Sequence, residues 1–157
     1  MRRCIKLGLW VVFALRSGAA FAQGVQGHSA LALGVIVGSY SPLLTHGDKA
    51  VLAALMPADG RILRSRKVVI NANEVRCRAG DVDITNFNCQ LKFGGTTKVL
   101  SGRAANELLA TLGEAGVHGD GAAGTIYYSL SNLSCVISLY DVAQKNGGGA
   151  SCAYKAD

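Results

Sequence analysis

Residues 67–77 read KVVINANEVRC, and residues 125–135 read TIYYSLSNLSC. The first stretch alternates in polarity and favours β structure, and the second is also β-like, with a break near Ser131-Asn132. Both end in a cysteine, and the second begins 58 positions after the first. In each case a further cysteine follows on a predicted strand, Cys89 after the first stretch and Cys152 after the second. This spacing decides the predicted architecture.

The similarity extends to the helical segments that precede these strands. VLAAL at residues 51–55 corresponds to LLATL at residues 108–112, 57 positions later. The match is one of residue class, so chance similarity between two α-plus-β segments is the alternative, but the nearly constant offset favours a duplication. We therefore predict an α+β fold of two tandem α-β-β-type repeats, about 30–95 and 96–157. Each repeat alone would bury too little apolar surface, so they should share one antiparallel sheet with helices packed on one side.

Local signals complete the predicted elements. The apolar run Ala30 to Val37 is consistent with a short buried strand, and residues 23–29 with a flexible lead-in. Thr45 is a good cap for a helix that ends before Pro57. Ser101 should cap a helix that runs to about Leu112. The remaining predictions are a glycine-rich loop at residues 118–124 and a last short strand from Ala150 to Tyr154.

The first 22 residues have the three parts of a secretory signal peptide. Arg2, Arg3 and Lys6 precede an apolar run, and Ala20-Phe21-Ala22 is a cleavage signal. The apolar run is too short for a transmembrane anchor, because Arg16 interrupts it. Cys4 lies before the run, so this is a Sec-type signal and not that of a lipoprotein. We expect residues 23–157 to form a single exported domain, periplasmic or secreted, with no membrane span.

Removal of the signal changes the charge balance. The chain has 16 Lys and Arg, of which four lie in the signal, and 10 Asp and Glu, of which none do. The remaining 12 basic and 10 acidic residues give a net charge of +2. The apparent basicity is therefore mainly a targeting feature, and it gives no support for a nucleic-acid partner.

An even number of cysteines in an exported chain predicts disulfides. Of the three possible pairings of the four cysteines after residue 22, we expect Cys77–Cys89 and Cys135–Cys152, one in each repeat. The rival pairing, Cys77–Cys135 with Cys89–Cys152, would join the repeats to each other. Closely spaced Cys and His pairs are missing from the sequence, so we expect no metal site.

Two short motifs resemble cofactor-binding or calcium-binding sequences, but neither has the flanking sequence that such a site requires. Gly119 to Gly124 matches G-x-G-x-x-G, but a predicted helix precedes it and β-like sequence follows, the reverse of the dinucleotide-binding order. We expect no cofactor and leave open whether this loop has a function. Asp81-Val82-Asp83 resembles the start of a calcium loop but lacks the later glycine and glutamate.

Candidate catalytic residues are few. A serine hydrolase needs a nucleophile, a base and an orienting acid, and the sequence has no G-x-S-x-G elbow. His28, His46 and His118 are the available bases. His118 lies two residues from Asp120, and a small hydrolase with a site around His118 is the alternative to a non-catalytic protein.

One basic cluster is a candidate for partner binding. It comprises Arg61, Arg64, Arg66, Lys67, Arg76 and Arg78, with Glu74 the only acid among them. Arg76 and Arg78 should share a strand face opposite Val75 and Cys77, where an envelope protein or another acidic surface could dock. The alternative is a solvated face whose cations discourage edge pairing.

These observations favour an exported, non-catalytic binding or inhibitor-type module, with a structural envelope component as a further alternative. Small secreted β-lactamase-inhibitor proteins are similar in using two disulfide-bearing α/β repeats. That similarity is one of architecture, since no motif of this chain carries membership in their family. The oligomeric state is left open.

Overall fold

A computed structural model describes residues 23–55, 67–80, 87–122, 125–138 and 149–156. Within these ranges the chain forms three helices and a seven-stranded antiparallel sheet, as the α+β prediction requires. The helices are α1 (Gly27–Tyr40), α2 (His46–Leu55) and α3 (Gly102–Glu114). The strands are β1 (Gln23–Gln26), β2 (Lys67–Ala79), β3 (Phe87–Phe93), β4 (Thr96–Ser101), β5 (Asp120–Ala122), β6 (Thr125–Ser138) and β7 (Ala150–Ala156).

The sheet order is β1-β7-β6-β2-β3-β4, and β5 pairs with one end of β6. The long strands β2 and β6 lie at the centre and pair along nearly their whole length. The order reads the same from either edge when β1 is exchanged with β4, β2 with β6, and β3 with β7. The two halves of the chain thus hold equivalent places in one sheet.

The predicted strand at Ala30 to Val37 is wrong, because this run lies inside α1. A short apolar run does not distinguish a buried strand from a buried helix. Here the helix packs against the sheet and both other helices, so it is apolar around most of its circumference. Gly34 and Gly38 allow this close approach. A Cβ added at Gly38 would lie 2.8 Å from Leu52 Cδ1.

The lead-in predicted at residues 23–29 is also wrong. Gln23–Gln26 forms the edge strand β1, which pairs with β7, and α1 follows without a break. The same junction occurs between β4 and α3, and β4 itself was not predicted. In both junctions the first helical residue is a glycine with positive φ, Gly27 at 70° and Gly102 at 56°. Glycine adopts this conformation at little cost, so the chain can turn sharply from strand into helix.

The capping prediction for α2 is confirmed. The Asp48 backbone N–H donates to Thr45 Oγ1 at 3.2 Å, and the Thr45 backbone N–H donates to Asp48 Oδ2 at 3.4 Å. These reciprocal bonds satisfy donors that the first turn of a helix leaves free. Ser101, by contrast, makes no side-chain capping bond to α3.

Both disulfides pair as predicted. Cys77 lies directly opposite Cys89 on β2 and β3, and Cys135 directly opposite Cys152 on β6 and β7. All four side chains are buried beneath the helices. The bonded sulfur of Cys89 lies 3.7 Å from the Ala105 carbonyl oxygen in α3.

The Cys152 sulfur makes the equivalent contact with α1, at 3.4 Å from the Ala30 carbonyl oxygen. By its place in the fold, α1 is therefore the counterpart of α3. The sequence similarity instead relates residues 51–55 of α2 to residues 108–112 of α3, and the structure corrects this correspondence. The correspondence of β2 with β6, and of each cysteine pair with the other, agrees with the sequence.

The two central strands share an irregularity that orients the candidate site. On β2 the residues facing the helices are 68, 70 and 72 and then 75 and 77, and on β6 they are 137, 135 and 133 and then 130. Both strands therefore change phase at the same level of the sheet, β2 at Asn73 and β6 at Asn132. Asn132 has a positive φ of 53°, which asparagine tolerates better than most residues. Without this phase change Arg76 and Arg78 would face the helices.

Candidate functional site

The helices cover one face of the sheet, and the described residues leave the other face, here called the open face, uncovered. Alternate side chains of every central strand project from it. In the half near the Cys77–Cys89 bridge these side chains are large, polar or charged. We call six of them the arginine patch. They are Arg76, Arg78, Asn88, Gln90, Tyr127 and Ser129.

Strand register brings these residues together from three strands. On β2, Arg76 lies between Gln90 of β3 and Ser129 of β6. One step along the same face, Arg78 lies between Asn88 and Tyr127. The patch lines a shallow depression of about 350 Å³. Two guanidinium groups, two amides, a hydroxyl and a phenol therefore surround one concave area.

Arg76 belongs to an ion cluster at one end of the patch. The Glu74 carboxylate is paired with both the Arg76 guanidinium and the Lys92 ammonium. The hydrogen bond from Lys92 is the main reason why the pKa of Glu74 lies below its ordinary value, with the positive charge of Arg76 as a further cause, and partial desolvation opposes them. Glu74 thus balances part of the charge of the two cations at this end.

Arg78 is arranged differently. Its guanidinium lies over the ring of Tyr127, 5.9 Å from the ring centroid. This is within the range of a cation–π interaction, worth about 0.5–1 kcal/mol at an exposed site. Tyr127 remains 42% exposed. Within the described ranges no carboxylate is paired with Arg78.

The other predicted cations do not extend this patch. Arg61, Arg64 and Arg66 lie outside the described residues. Lys67 lies at the opposite end of β2, nine residues from Arg76 and hence about 30 Å away at the rise of an extended strand. Edge protection does not account for Arg76 and Arg78 either, since β2 is a central strand.

A larger depression, of about 600 Å³, lies in the other half near Lys67. Its lining is mainly small residues and backbone from β1, β6 and β7, including Val136 and Ser151. Among the described residues of this lining, Lys67 is the only charged one. The chemistry of this depression is therefore much less distinctive than that of the arginine patch.

The residues tested for catalysis are dispersed. His28, His46 and His118 are all exposed, and His118 lies between α3 and β5, where no described residue is hydrogen-bonded to it. The predicted loop at residues 118–124 contains the short strand β5. Asp81 and Asp83 lie outside the described residues. No group of three His, Cys, Asp or Glu within the described ranges could hold a metal ion.

Several patch residues were missed by sequence reasoning. Tyr127, Asn88 and Gln90 are polar or amphipathic residues on outward strand positions, and nothing in their local sequence sets them apart. The register of three strands makes them neighbours of Arg76 and Arg78. An antiparallel alignment of β2 with β6 that pairs Asn73 with Asn132 places Tyr127 opposite Arg78, and this is the sequence signal that could have found Tyr127.

No protein-family model matches this chain, and no similar curated protein or solved structure is found. None of the described helices is long and apolar enough to cross a membrane. Two disulfides are compatible with a periplasmic or extracellular protein, because such compartments allow them to persist.

Proposed function

We propose that this protein is an exported binding module that docks an acidic partner on the open face of its sheet. The arginine patch is the observation that carries the proposal. It places Arg and Tyr, two residue types enriched at binding hot spots, on central strands in a face that no described helix covers.

Export is supported by two independent features. One is the sequence pattern of residues 1–22, which ends in Ala20-Phe21-Ala22 and implies a mature chain that begins at Gln23. The other is the pair of buried disulfides, which persist in oxidising compartments. In the fold, Gln23 begins β1 and pairs with Tyr154, so cleavage there would leave all the described strands intact.

The chemistry of the patch favours binding. Guanidinium groups recognise carboxylates through parallel hydrogen bonds, and amides and hydroxyls adapt to either donors or acceptors. The described residues leave the patch open, so a partner with a complementary surface could reach the side chains that line it. A net charge of about +2 after export gives only weak long-range attraction, so the patch itself should supply most of the steering.

A duplication is part of this proposal. Equivalent sheet positions, glycine junctions at Gly27 and Gly102, and matching sulfur contacts at Ala30 and Ala105 support descent of the two halves from one β-α-β-β unit. A unit of this kind would have formed the symmetric sheet as a dimer. Subsequent divergence would then have placed the arginine patch in one half of the open face.

The test is binding of the mature protein to its envelope partner. The partner would be isolated with immobilised mature protein, purified and measured by surface plasmon resonance. Arg76→Glu with Arg78→Glu should slow association more than it speeds dissociation, because exposed charges mainly steer encounter. Lys67→Glu with Lys98→Glu is the control, since it makes the same change in net charge outside the patch. Equal association rates for the two variants at low salt would contradict the proposed docking face.

A further inference from the structure

The cations at the charged end of the open face fall into two groups. Arg76 and Lys92 share the Glu74 carboxylate. Arg78 has no such partner among the described residues, and none of their hydrogen-bond acceptors takes up its donors. Among the described cations at this end, Arg78 is therefore the one that shares its charge with no described carboxylate.

Tyr127 prepares this guanidinium for binding. A guanidinium is planar and carries five N–H donors along its edges. The Arg78 guanidinium lies over the Tyr127 ring, 5.9 Å from the ring centroid, and attraction to the ring restricts the side chain while no described residue takes up its donors. Less conformational freedom is then lost on binding, which is the general advantage of a preorganised site.

The surroundings of Arg78 suit one carboxylate better than a dense polyanion. Beside Arg78 the depression continues over neutral amides, Asn88 and Gln90. The next cation, Arg76, is already paired with Glu74. A polyphosphate or lipopolysaccharide surface would need several unpaired cations in a row, whereas a single Asp or Glu side chain needs one guanidinium with hydrogen-bonding neighbours.

The openness of the depression favours a protein partner over a small acid. Small ligands usually bury most of their surface in a deep pocket. Here Tyr127 stays 42% exposed and the walls are side chains on a sheet surface. A carboxylate presented by a protein segment would gain further contact with the strands around it.

The second half of the sheet provides an internal control. The counterparts of Arg78 and Tyr127 are Val136 and Val69, and those of Asn88 and Gln90 are Ser151 and Ala153. These smaller residues occupy equivalent backbone positions in the same sheet. The fold thus does not require charged or aromatic side chains there, and their presence on one side needs another explanation.

We infer that Arg78, held over Tyr127, receives an Asp or Glu side chain of an acidic protein segment, with Asn88 and Gln90 completing the hydrogen bonds. This inference rests on the proposed function and specifies its partner chemistry. It names Arg78 as the centre of the interface, with Arg76 and Lys92 as its charged margin.

The experiment is an NMR titration of the ¹⁵N-labelled mature protein with three probes, hexaglutamate, hexaglutamine and inorganic phosphate. Hexaglutamate should shift the Arg78 side-chain Nε–H and the Tyr127 amide, and leave Val69 and Val136 unchanged. Hexaglutamine should shift neither set. Arg78→Lys keeps the charge but loses the planar pair of donors, so it should weaken hexaglutamate binding at least fivefold. Tyr127→Phe keeps the ring and should bind like the wild type.

Three results would overturn the inference. They are unchanged affinity in Arg78→Lys, equal shifts at Val136, and phosphate binding as tight as that of hexaglutamate. Backbone amide spectra of each variant verify that its fold is intact. If the inference fails while Arg76→Glu with Arg78→Glu still slows association of the isolated partner, the docking face stands and only its carboxylate chemistry is wrong. If neither experiment shows an effect, the proposed function itself fails.

Discussion

The two halves of the open face share a backbone plan and differ in side chains. Around the Cys77–Cys89 bridge, β2 and β3 present Arg76, Arg78 and Gln90. Around the Cys135–Cys152 bridge, the equivalent positions of β6 and β7 present Ser134, Val136 and Ala153. The buried sides remain alike, since both halves place a disulfide against the first turn of a helix.

This difference separates what the fold needs from what it tolerates. Side chains that face the helices must be apolar to form the core, and both halves meet that requirement. Side chains on the open face contribute little to the core, so they can diverge without loss of the fold. A partner-binding surface is therefore expected on the open face, where the two halves differ, rather than among the buried residues that they share.

The largest expected effect tests whether the two buried disulfides stabilise the fold equally. Cys77→Ala with Cys89→Ala, and separately Cys135→Ala with Cys152→Ala, should each lower the free energy of unfolding by about 3 kcal/mol. The cysteines are 12 and 17 residues apart, and loop entropy depends only weakly on length, so the two losses should agree within about 1 kcal/mol. Urea unfolding of both variants measures this.

A much larger loss from one bridge would show that the halves are not energetically equivalent. Removing both bridges should cost about 6 kcal/mol if the effects add. Because small domains have a total stability of about 5–15 kcal/mol, this variant is expected to be near or below the limit of folding.

The second prediction compares the two principal helices. Gly38 in α1 and Gly113 in α3 are each the twelfth residue of their helix, but only Gly38 is crowded. An added Cβ would meet Leu52, Ile70 and Leu44 within 3.2 Å at Gly38, whereas at Gly113 it would meet only Tyr128 Oη at 3.7 Å. Gly38→Ala should therefore destabilise the protein by about 1–3 kcal/mol through overpacking.

Gly113→Ala is the matched control. Alanine is favoured over glycine in helices by up to about 1 kcal/mol, and this site has room for it. We expect a stability equal to or slightly above that of the wild type in thermal unfolding. Similar losses for both variants would mean that Gly38 and Gly113 are equally crowded, contrary to the structure.

Sequence patterns predicted the elements whose signals are local. The alternation of β2, the cap at Thr45 and the cysteine spacing each depend on neighbouring residues, and all three predictions hold. The disulfide pairing followed because each pair lies on strands joined by one connection. These predictions succeed because short-range chemistry decides them.

The misassigned and missed elements depend on tertiary contacts. The run from Ala30 to Val37 is apolar whether it forms a strand or a helix, and its burial among other helices and the sheet decides the outcome. β1 and β4 are short edge strands, formed because β7 and β3 offer partners. The arginine patch was predicted in part, since Arg76 and Arg78 share one strand, but Tyr127 joins them only through the register of β6.

The smallest expected effect concerns Glu74, whose carboxylate has no counterpart among the described open-face residues of the other half. The hydrogen bond from Lys92, reinforced by Arg76, holds the pKa of Glu74 below its ordinary value of 4.5. A carboxyl group whose pKa is lower in the folded than in the unfolded state stabilises the fold above its unfolded pKa, and this contribution is lost as the pH falls through the folded pKa. Lys92→Met should raise the pKa of Glu74, measured by ¹³C NMR of the carboxyl carbon, and should make stability fall less steeply as the pH is lowered below about 4.5.

Lys155, the counterpart of Lys92 in the sheet order, lies two strands from Glu74, about 10 Å away, where salt screens most of the interaction. Lys155→Met should therefore leave the pKa of Glu74 nearly unchanged. A shift as large as that in Lys92→Met would show that the charge cluster reaches across the sheet centre, and the confinement of this cluster to one half of the open face would then be wrong.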